Sequence, residues 1–223
     1  MLKIGFCVSG NGGIFCAAVA NAATLGVHVE VLFVEEKANR LLERFCEEHS
    51  IRYEKIASSS RAAFDRELTQ RCIDSRLDLL CLTFDKILPA ELVSAYRGRI
   101  INVHPGLLPA FAGMNALRRC LASGARFAGA TVHEVDEGID TGAIVAQCVT
   151  VISADDDMVS LGKKLYDLMM PMTLQVIAWY AQARVRYHES GRIHIEGAHY
   201  GSLPVSPANE LPLPLLPGQL PTS

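Results

Sequence analysis

The sequence predicts an α/β protein with a doubly wound, mostly parallel, Rossmann-like sheet and an antiparallel C-terminal extension. Short runs of Val, Ile, Leu and Phe alternate with helical patterns through the first hundred residues, and two longer apolar strands follow after residue 127. Nearly continuous apolar runs are typical of parallel strands that are covered on both faces. Their alternation with helices indicates βαβ units, which bind ligands at the carboxyl ends of the strands.

The predicted elements follow one another in chain order. We predict strands over 2–8, 27–34, 77–83, 98–102, 128–135 and 143–152, with short strands near 185 and 193. Helices are predicted over 14–25, 37–49, 62–75 and 155–180, the last of them broken near Pro171 and opened by capping aspartates at 155–157.

The C-terminal segment differs in composition from the rest. Six of the ten prolines fall between residues 203 and 221. We therefore expect one catalytic domain over 1–202 and a proline-rich extended tail over 203–223, lying across the body or across a neighbouring subunit of a homodimer.

Composition narrows the class of protein. A chain of 223 residues, half of them hydrophobic, can bury one substantial core, and a net charge of −3 gives no reason to expect nucleic acid or membrane as a partner. The seven cysteines lie singly, which suits a reducing compartment and argues against both disulfides and zinc. There is no signal-peptide pattern and no apolar run of membrane-spanning length, so we expect a cytoplasmic protein. Because the cysteines are scattered, we also expect no metal.

Two short segments carry the chemistry-bearing side chains. Residues 100–109 are Ile-Ile-Asn-Val-His-Pro-Gly-Leu-Leu-Pro, and residues 138–142 are Gly-Ile-Asp-Thr-Gly. Asn102 and His104 are two apart, so both side chains point to the same side of a strand end, and Pro105 stops the strand there.

Asn-x-His-Pro-x-Leu-Leu-Pro followed by Asp-x-Gly resembles the folate-dependent formyltransferases, most of all the glycinamide ribonucleotide (GAR) formyltransferases of purine synthesis. The resemblance extends from about residue 3 to about residue 189. Methionyl-tRNA and sugar-amine formyltransferases share the triad, so the motif identifies the reaction better than the acceptor. The resemblance implies 10-formyltetrahydrofolate as co-substrate and a small-molecule amine as acceptor.

Formyl transfer to an amine passes through a tetrahedral intermediate, which requires oxyanion donors and a proton acceptor. Asn102 can donate its amide N–H to the oxyanion, a protonated His104 can hold the same oxygen, and Asp140 can orient the imidazole. The resemblance also implies that Asp140 helps to move the proton through water. Thr131 and His133 match a Ser/Thr-x-His of the family that supports the active-site loop, and a packing role for His133 is an equal alternative.

The folate side of the resemblance lies in a second segment. Residues 84–89, Phe-Asp-Lys-Ile-Leu-Pro, resemble a Phe-Met-Arg-Ile-Leu segment whose backbone binds the pterin. Lys86 in place of Arg would keep a cation near the glutamate tail of folate, whereas Asp85 in place of Met is unexpected. The folate-binding residues implied by the resemblance are Phe84, Asp85, Lys86, Ile87, Leu88, Val93, Leu107, Val135, Asp136, Glu137, Gly138 and Ile139.

The acceptor side departs from the GAR pattern. The loop that grips the substrate phosphate in those enzymes corresponds here to Ser9, Gly10, Asn11, Gly12 and Gly13, followed by Ile14 where polar residues are usual. Gly106 replaces a usual Ser, and Met169 stands where the family carries a substrate-binding Glu. These differences predict another amine, such as an amino sugar, an amino acid derivative or a hydroxylamine, with GAR as the alternative.

Two other functions are compatible with parts of the sequence. Gly10-x-Gly12 after the first strand and the acids Glu35 and Glu36 after the second resemble a dinucleotide-binding pattern, but Phe15 occupies its third glycine position. A non-catalytic folate-binding protein is the other alternative, and a complete triad argues against it.

Overall fold

The computed structural model describes residues 1–35, 38–58, 60–201 and 204–211. Glu36, residue 203 and residues 212–223 of the predicted tail therefore lie outside the described residues. The chain divides into two compact units, Met1–Asn102 and a second unit that begins at Val103.

The first unit is a parallel sheet with helices. Its described strands are β1 (Leu2–Val8), β2 (Val27–Val34), β3 (Arg52–Lys55), β4 (Leu79–Thr83) and β5 (Ile100–His104), in the order β3-β2-β1-β4-β5. The last two residues of β5 belong to the second unit. Its helices are α1 (Gly13–Ala20), α2 (Ala22–Leu25), α3 (Leu41–Glu48), α4 (Arg61–Ser75) and α5 (Ala90–Ala95).

The strand register of this sheet brings three loops together at one edge. Val8 of β1 is paired with Val34 of β2 on one side and with Thr83 of β4 on the other. All three strands therefore end at the same level, because parallel strands run in one direction. The residues that follow them emerge at the carboxyl edge, where open α/β sheets bind ligands.

The second unit is built on antiparallel strands and one long helix. It contains α6 (Ala116–Ala122), β6 (Phe127–Glu134), β7 (Ile144–Val151), α7 (Met158–Ala181), β8 (Val185–Tyr187), β9 (Ile193–Ile195) and β10 (Val205–Ser206). Strand β7 pairs antiparallel with β6 and with β10, and β8 and β9 form a separate hairpin. The parallel sheet and the antiparallel C-terminal part confirm the predicted fold class.

Two predicted helices have different bounds in the structure. The helix expected over 14–25 is interrupted at Asn21, whose side-chain amide donates to the carbonyl of Ala17 and competes with helical bonding. The break expected at Pro171 is wrong, because α7 continues through that residue. The eight residues that follow it, 172–179, are all buried, and this burial offsets the ~3 kcal/mol that an interior proline costs.

The predicted aspartate cap at the start of α7 is confirmed. Asp157 is the N-cap of α7, and its carboxylate accepts from the backbone of Val159 and Ser160 in a capping box. The described part of the tail, 204–211, lies against the unit, where the backbone N–H groups of Glu210 and Leu211 donate to Gln175 Oε1. Burial and free thiols at all seven cysteines agree with a structural role for them.

Candidate active site

His104 and Asp140 form a buried pair at the end of β5. His104 Nδ1 lies 3.2 Å from Asp140 Oδ2, and His104 is only 5% exposed. The other ring nitrogen, Nε2, lies 3.1 Å from the carbonyl oxygen of Phe111. A neutral imidazole has one N–H and can donate to only one of these oxygens, whereas a protonated ring can donate to both. The surroundings of the ring therefore suit an imidazolium that holds or delivers a proton.

Asp140 is held by a second hydrogen bond besides its contact with His104. Its Oδ2 also accepts the backbone N–H of Gly113 at 2.8 Å, and its Oδ1 lies 3.5 Å from His133 Nε2. The backbone of Asp140 is left-handed, with φ of 55°, a conformation that aspartate tolerates better than most residues. The carboxylate is thereby held against the imidazole instead of turning into solvent.

His133 stands behind Asp140 on β6, where the β6–β7 register shifts between Val132 and His133. It is 2% exposed, and burial lowers the pKa of its imidazole below the ordinary value, although the neighbouring carbonyl of Glu134 and the Asp140 carboxylate oppose that shift. Its Nδ1 lies 2.7 Å from the Glu134 carbonyl oxygen and donates to it. A neutral His133 therefore has no hydrogen on Nε2, the ring nitrogen that lies near Asp140.

Thr131 fastens the loop that follows β5. Its hydroxyl donates to the carbonyl of Gly106 at 2.8 Å and accepts the backbone N–H of Leu108 at 3.1 Å. Gln147, directly opposite on β7, donates from Nε2 to both Thr131 Oγ1 and the Leu108 carbonyl. These bonds agree with the predicted supporting role of Thr131. Gln147 was not predicted from the sequence, although a polar residue between the apolar residues of a buried strand was a signal for it.

Gly106 leaves room for the imidazole. A Cβ atom placed there would lie 2.7 Å from His104 Nε2, 2.9 Å from its Cδ2 and 3.2 Å from Ala116 Cβ. Any side chain at this position would press on the ring. Gly106 thus contacts the candidate catalytic histidine directly, whereas the family resemblance predicted a part in acceptor binding.

The loop 135–139 is folded by its own side chains. Asp136 Oδ1 accepts the backbone N–H of Gly138 and the hydroxyl of Thr141. A Cβ on Gly138 or Gly142 would lie about 2 Å from Thr141 Oγ1 or the Glu134 carbonyl oxygen, so both glycines are required by close contacts. Ile139 is 56% exposed, whereas the carboxylate of its neighbour Asp140 is only 14% exposed.

In the first unit, the glycine-rich loop after β1 contacts the segment after β4. Ser9 Oγ donates to Asp85 Oδ1 at 2.7 Å, and the backbone N–H of Asp85 donates back to Ser9 Oγ. Lys86 Nζ pairs with Glu35 Oε2 at 2.6 Å and also lies 4.4 Å from the centre of the Phe64 ring. The predicted cation near the folate tail is thus balanced by an acid that follows β2.

The remaining predicted residues have simpler surroundings. Leu88 and Val93 are buried, Ile87 is 62% exposed, and the Phe84 ring stacks on Phe64 with 6.2 Å between their centres. Ile14 is 4% exposed, so its side chain belongs to the core and not to a ligand surface. The position of Met169 on α7 is half-buried, and no assignment to acceptor binding follows from it.

Neither a metal site nor a membrane span is found in the part of the chain that the structure describes. No three side chains of His, Cys, Asp or Glu are grouped there as ligands for an ion. None of the helices in those ranges combines the length and the apolar character that crossing a bilayer requires.

The fold is α/β, and an imidazole–carboxylate pair lies at the end of one parallel strand. A polar site of this kind is suited to proton transfer. Comparison with known proteins specifies the class further. The sequence profile described as "Formyl transferase" matches residues 2–177, and the chain therefore belongs to the formyl transferase family.

Individual relatives within that family are enzymes of purine synthesis by name. The chain is 32% identical over 173 residues to phosphoribosylglycinamide formyltransferase of Bacillus subtilis, covering 75% of this chain and 89% of that protein. It is 43% identical over 109 residues to the trifunctional purine biosynthetic protein adenosine-3 of Drosophila melanogaster, covering 48% of this chain but only 8% of that protein. The crystal structure of glycinamide ribonucleotide transformylase 1 from Symbiobacterium toebii superposes with a TM-score of 0.80 at 28% identity, covering 88% of this chain and 94% of that one.

Proposed function

We propose that this protein transfers the formyl group of 10-formyltetrahydrofolate to a primary amine of a small molecule. The observation that carries the proposal is the contact of His104 with Asp140 at 3.2 Å, since His104 ends the strand that also carries Asn102. Membership of the formyl transferase family supports the same reaction.

The three side chains correspond to the needs of the reaction. Attack of the amine on the formyl carbon places negative charge on oxygen and a surplus proton on nitrogen. In the proposed mechanism Asn102 donates its amide N–H to that oxygen, and the His104 imidazolium stabilises the same charge. Asp140 holds the imidazolium and accepts the proton of the amine through water. The oxyanion then re-forms the carbonyl and the bond from carbon to N10 breaks. N10 takes up the proton that Asp140 and water received from the amine, so tetrahydrofolate leaves and the formyl group remains on the acceptor.

Folate is assigned to the same segments as in the sequence analysis. Backbone groups over 84–88 of the first unit would bind the pterin. The pairing of Lys86 with Glu35 supports a smaller part for Lys86 at the glutamate tail than the sequence suggested.

The identity of the acceptor has two candidates. The names of the relatives support GAR, and this support is stronger than that for any other amine. A different amine is favoured by Gly13, Ile14, Gly106 and Met169, where the sequence departs from the GAR pattern.

Two alternatives from other classes receive less support. The third position of the dinucleotide fingerprint is filled by Phe15, a fully buried ring packed edge-on against Phe6 and Phe45 at 5.5 and 5.8 Å. No small residue is present there for the close helix–strand packing of that fingerprint. A folate-binding protein without catalysis would have no need of a buried imidazole–carboxylate pair.

Release of tetrahydrofolate from 10-formyltetrahydrofolate, measured with the full chain and GAR or other amines, tests the proposal. We expect turnover with at least one amine, and a fall of about a hundredfold or more in both His104→Ala and Asp140→Asn. Asparagine also tolerates a left-handed backbone, so Asp140→Asn should keep the fold. Equal turnover in the wild type and both variants would refute the assignment of the catalytic residues.

A further inference from the structure

Glu134 is a buried acid of the second unit that takes no part in the proposed mechanism. It ends β6 and is 8% exposed. Its Oε1 accepts the hydroxyl of Tyr180 on α7 at 2.7 Å and the hydroxyl of Tyr187 on β8. Burying a carboxyl group is costly unless hydrogen bonds compensate, and an apolar side chain would avoid that cost. The two bonds therefore point to a role that the carboxyl group itself fills.

These bonds anchor a strand end at which the sheet is irregular. The β6–β7 register shifts between Val132 and His133, and a shift of this kind locally disrupts the ladder. After the shift, the backbone N–H of Glu134 donates to the carbonyl of Ala143 at 2.9 Å. The side chain of Glu134 adds bonds to a helix and to a strand of the separate hairpin. The position of its backbone is thereby fixed from three elements.

The backbone carbonyl of Glu134 lies between His133 and the chain that leaves Asp140. It is 2.7 Å from His133 Nδ1. A carbonyl oxygen can only accept, so this contact places the hydrogen of a neutral ring on Nδ1. On the other side, a Cβ added to Gly142 would lie 1.9 Å from the same oxygen. The carbonyl is enclosed by these two neighbours and has little freedom to turn away from the ring.

The tautomer of His133 matters for the acid beside it. With its hydrogen on Nδ1, the ring has a lone pair on Nε2, 3.5 Å from Asp140 Oδ1, and can accept a hydrogen bond when Asp140 carries a proton. With the hydrogen on Nε2, the ring would donate to the carboxylate, which favours its charged form and weakens it as a proton acceptor. The titratable groups that face His133 are Asp140, Asp136 and His104, whose ring centre is 6.5 Å away.

We infer that Glu134 is a positioning residue for formyl transfer. Its carbonyl keeps His133 in the tautomer with the hydrogen on Nδ1, and this tautomer lets Asp140 take up the proton of the amine. The two tyrosine hydroxyls act one step further away, because they hold the side chain of Glu134 and with it the carbonyl. The inference rests on the proposed function, since it concerns the step in which Asp140 accepts that proton.

Two substitutions of Glu134 separate positioning from simple packing. Glu134→Leu removes the acceptor of both tyrosine hydroxyls, whereas Glu134→Gln keeps an acceptor oxygen on a side chain of the same length. Since a misplacement of about 1 Å costs up to about a hundredfold in rate, we expect kcat to fall about tenfold in Glu134→Leu with KM unchanged, and Glu134→Gln to restore most of it. NMR spectra of the ring nitrogens should show the hydrogen of neutral His133 on Nδ1 in the wild type and in Glu134→Gln, but partly on Nε2 in Glu134→Leu.

A second variant and a control complete the experiment. Tyr187→Phe removes one donor from a residue that is 57% exposed, so the fold should persist, while kcat and the tautomer of His133 should shift in the same direction by a smaller factor. Tyr96→Phe is the control. It removes a buried hydroxyl of the first unit that is bonded to the Cys72 carbonyl and the Leu77 N–H, so it should lower Tm and leave both readouts unchanged.

The outcomes distinguish the inference from the proposed function. Wild-type kcat in a folded Glu134→Leu, a lowered kcat with an unchanged tautomer, or equal losses in Glu134→Leu and Glu134→Gln would overturn the inference and leave formyl transfer intact. If Glu134→Leu does not fold, an unchanged kcat and tautomer in Tyr187→Phe would overturn it as well. Turnover of the wild type with no amine would instead refute formyl transfer, and the NMR spectra would still decide whether Glu134 sets the tautomer of His133.

Discussion

Replacing Gly106 by alanine should move the His104 ring without removing any catalytic group. The new Cβ would lie 2.7 Å from Nε2, about 0.7 Å short of ordinary contact at 3.4 Å. Ala116 Cβ, at 3.2 Å on the other side, limits how far the alanine itself can retreat. The ring must therefore give way by several tenths of an ångström.

That displacement is large compared with the tolerance of the site. The two bonds of the ring, to Asp140 and to the Phe111 carbonyl, are 3.2 and 3.1 Å long, and a shift of about 0.7 Å can take either beyond hydrogen-bonding distance. A misplacement of about 1 Å costs up to about a hundredfold in rate. We expect kcat to fall by between about ten- and a hundredfold in Gly106→Ala, with a loss of stability of about 1–3 kcal/mol from overpacking.

Gly162→Ala is the matched control. Gly162 lies inside α7, and a Cβ there would meet only Leu117 Cδ2 at 3.9 Å, an ordinary contact. Alanine in a helix is favoured over glycine by about 0.5–1 kcal/mol, so this variant should be slightly more stable and fully active. Release of tetrahydrofolate with the acceptor that the wild type uses, together with thermal melts, measures both effects. Wild-type kcat in Gly106→Ala would refute the claim that this glycine sets the position of His104.

Three further predictions concern the supports of the site and of α7. Thr131→Val removes a buried hydroxyl with three partners and should cost about 1–3 kcal/mol in urea unfolding, along with a lower kcat; an unchanged unfolding midpoint would exclude this anchoring role. Asp157→Ala removes the N-cap of α7 and should cost about 1 kcal/mol in the same experiment without changing kcat. Burial lowers the pKa of His133, so the unfolded chain takes up a proton at higher pH than the folded chain does, and stability should fall as the pH drops below about 6.5. His133→Gln should flatten that slope between pH 7.5 and 5.5, and equal slopes would show that another group causes it.

The inner strands of the first unit were predictable because a strand that is buried on both faces needs apolar residues along its length. Leu2–Val8 and Val27–Val34 are apolar along almost their whole length, and the structure has strands with the same bounds. Strand β3, Arg52–Lys55, was missed because its pattern is polar: it lies at the edge of the sheet, where only one neighbouring strand pairs with it. Edge strands of this kind bury little and so leave no apolar run in the sequence.

The contact between His104 and Asp140 was predictable from side-chain types, whereas the backbone groups around it were not. The spacing of Asn102 and His104, and the later Asp140, were visible as residue types, and the structure places His104 and Asp140 in contact. Phe111 and Gly113 were not visible, because they act through a carbonyl and an N–H that every residue possesses. Only the folded path of the loop decides which backbone groups reach the pair.

That loop path also explains why the pair is so firmly held. Phe111, Gly113 and Asn115 all have positive φ, between 57° and 82°, and Asp140 itself has φ of 55°. Side-chain-bearing residues adopt this conformation at a cost, so the surrounding structure must enforce it, and such positions cluster where function demands a fixed geometry. Here the result of the turns at Phe111 and Gly113 is specific: one presents its carbonyl to His104 and the other its N–H to Asp140. The same short segment therefore binds both members of the pair, and the loop after β5 is as much a part of the candidate site as the two side chains.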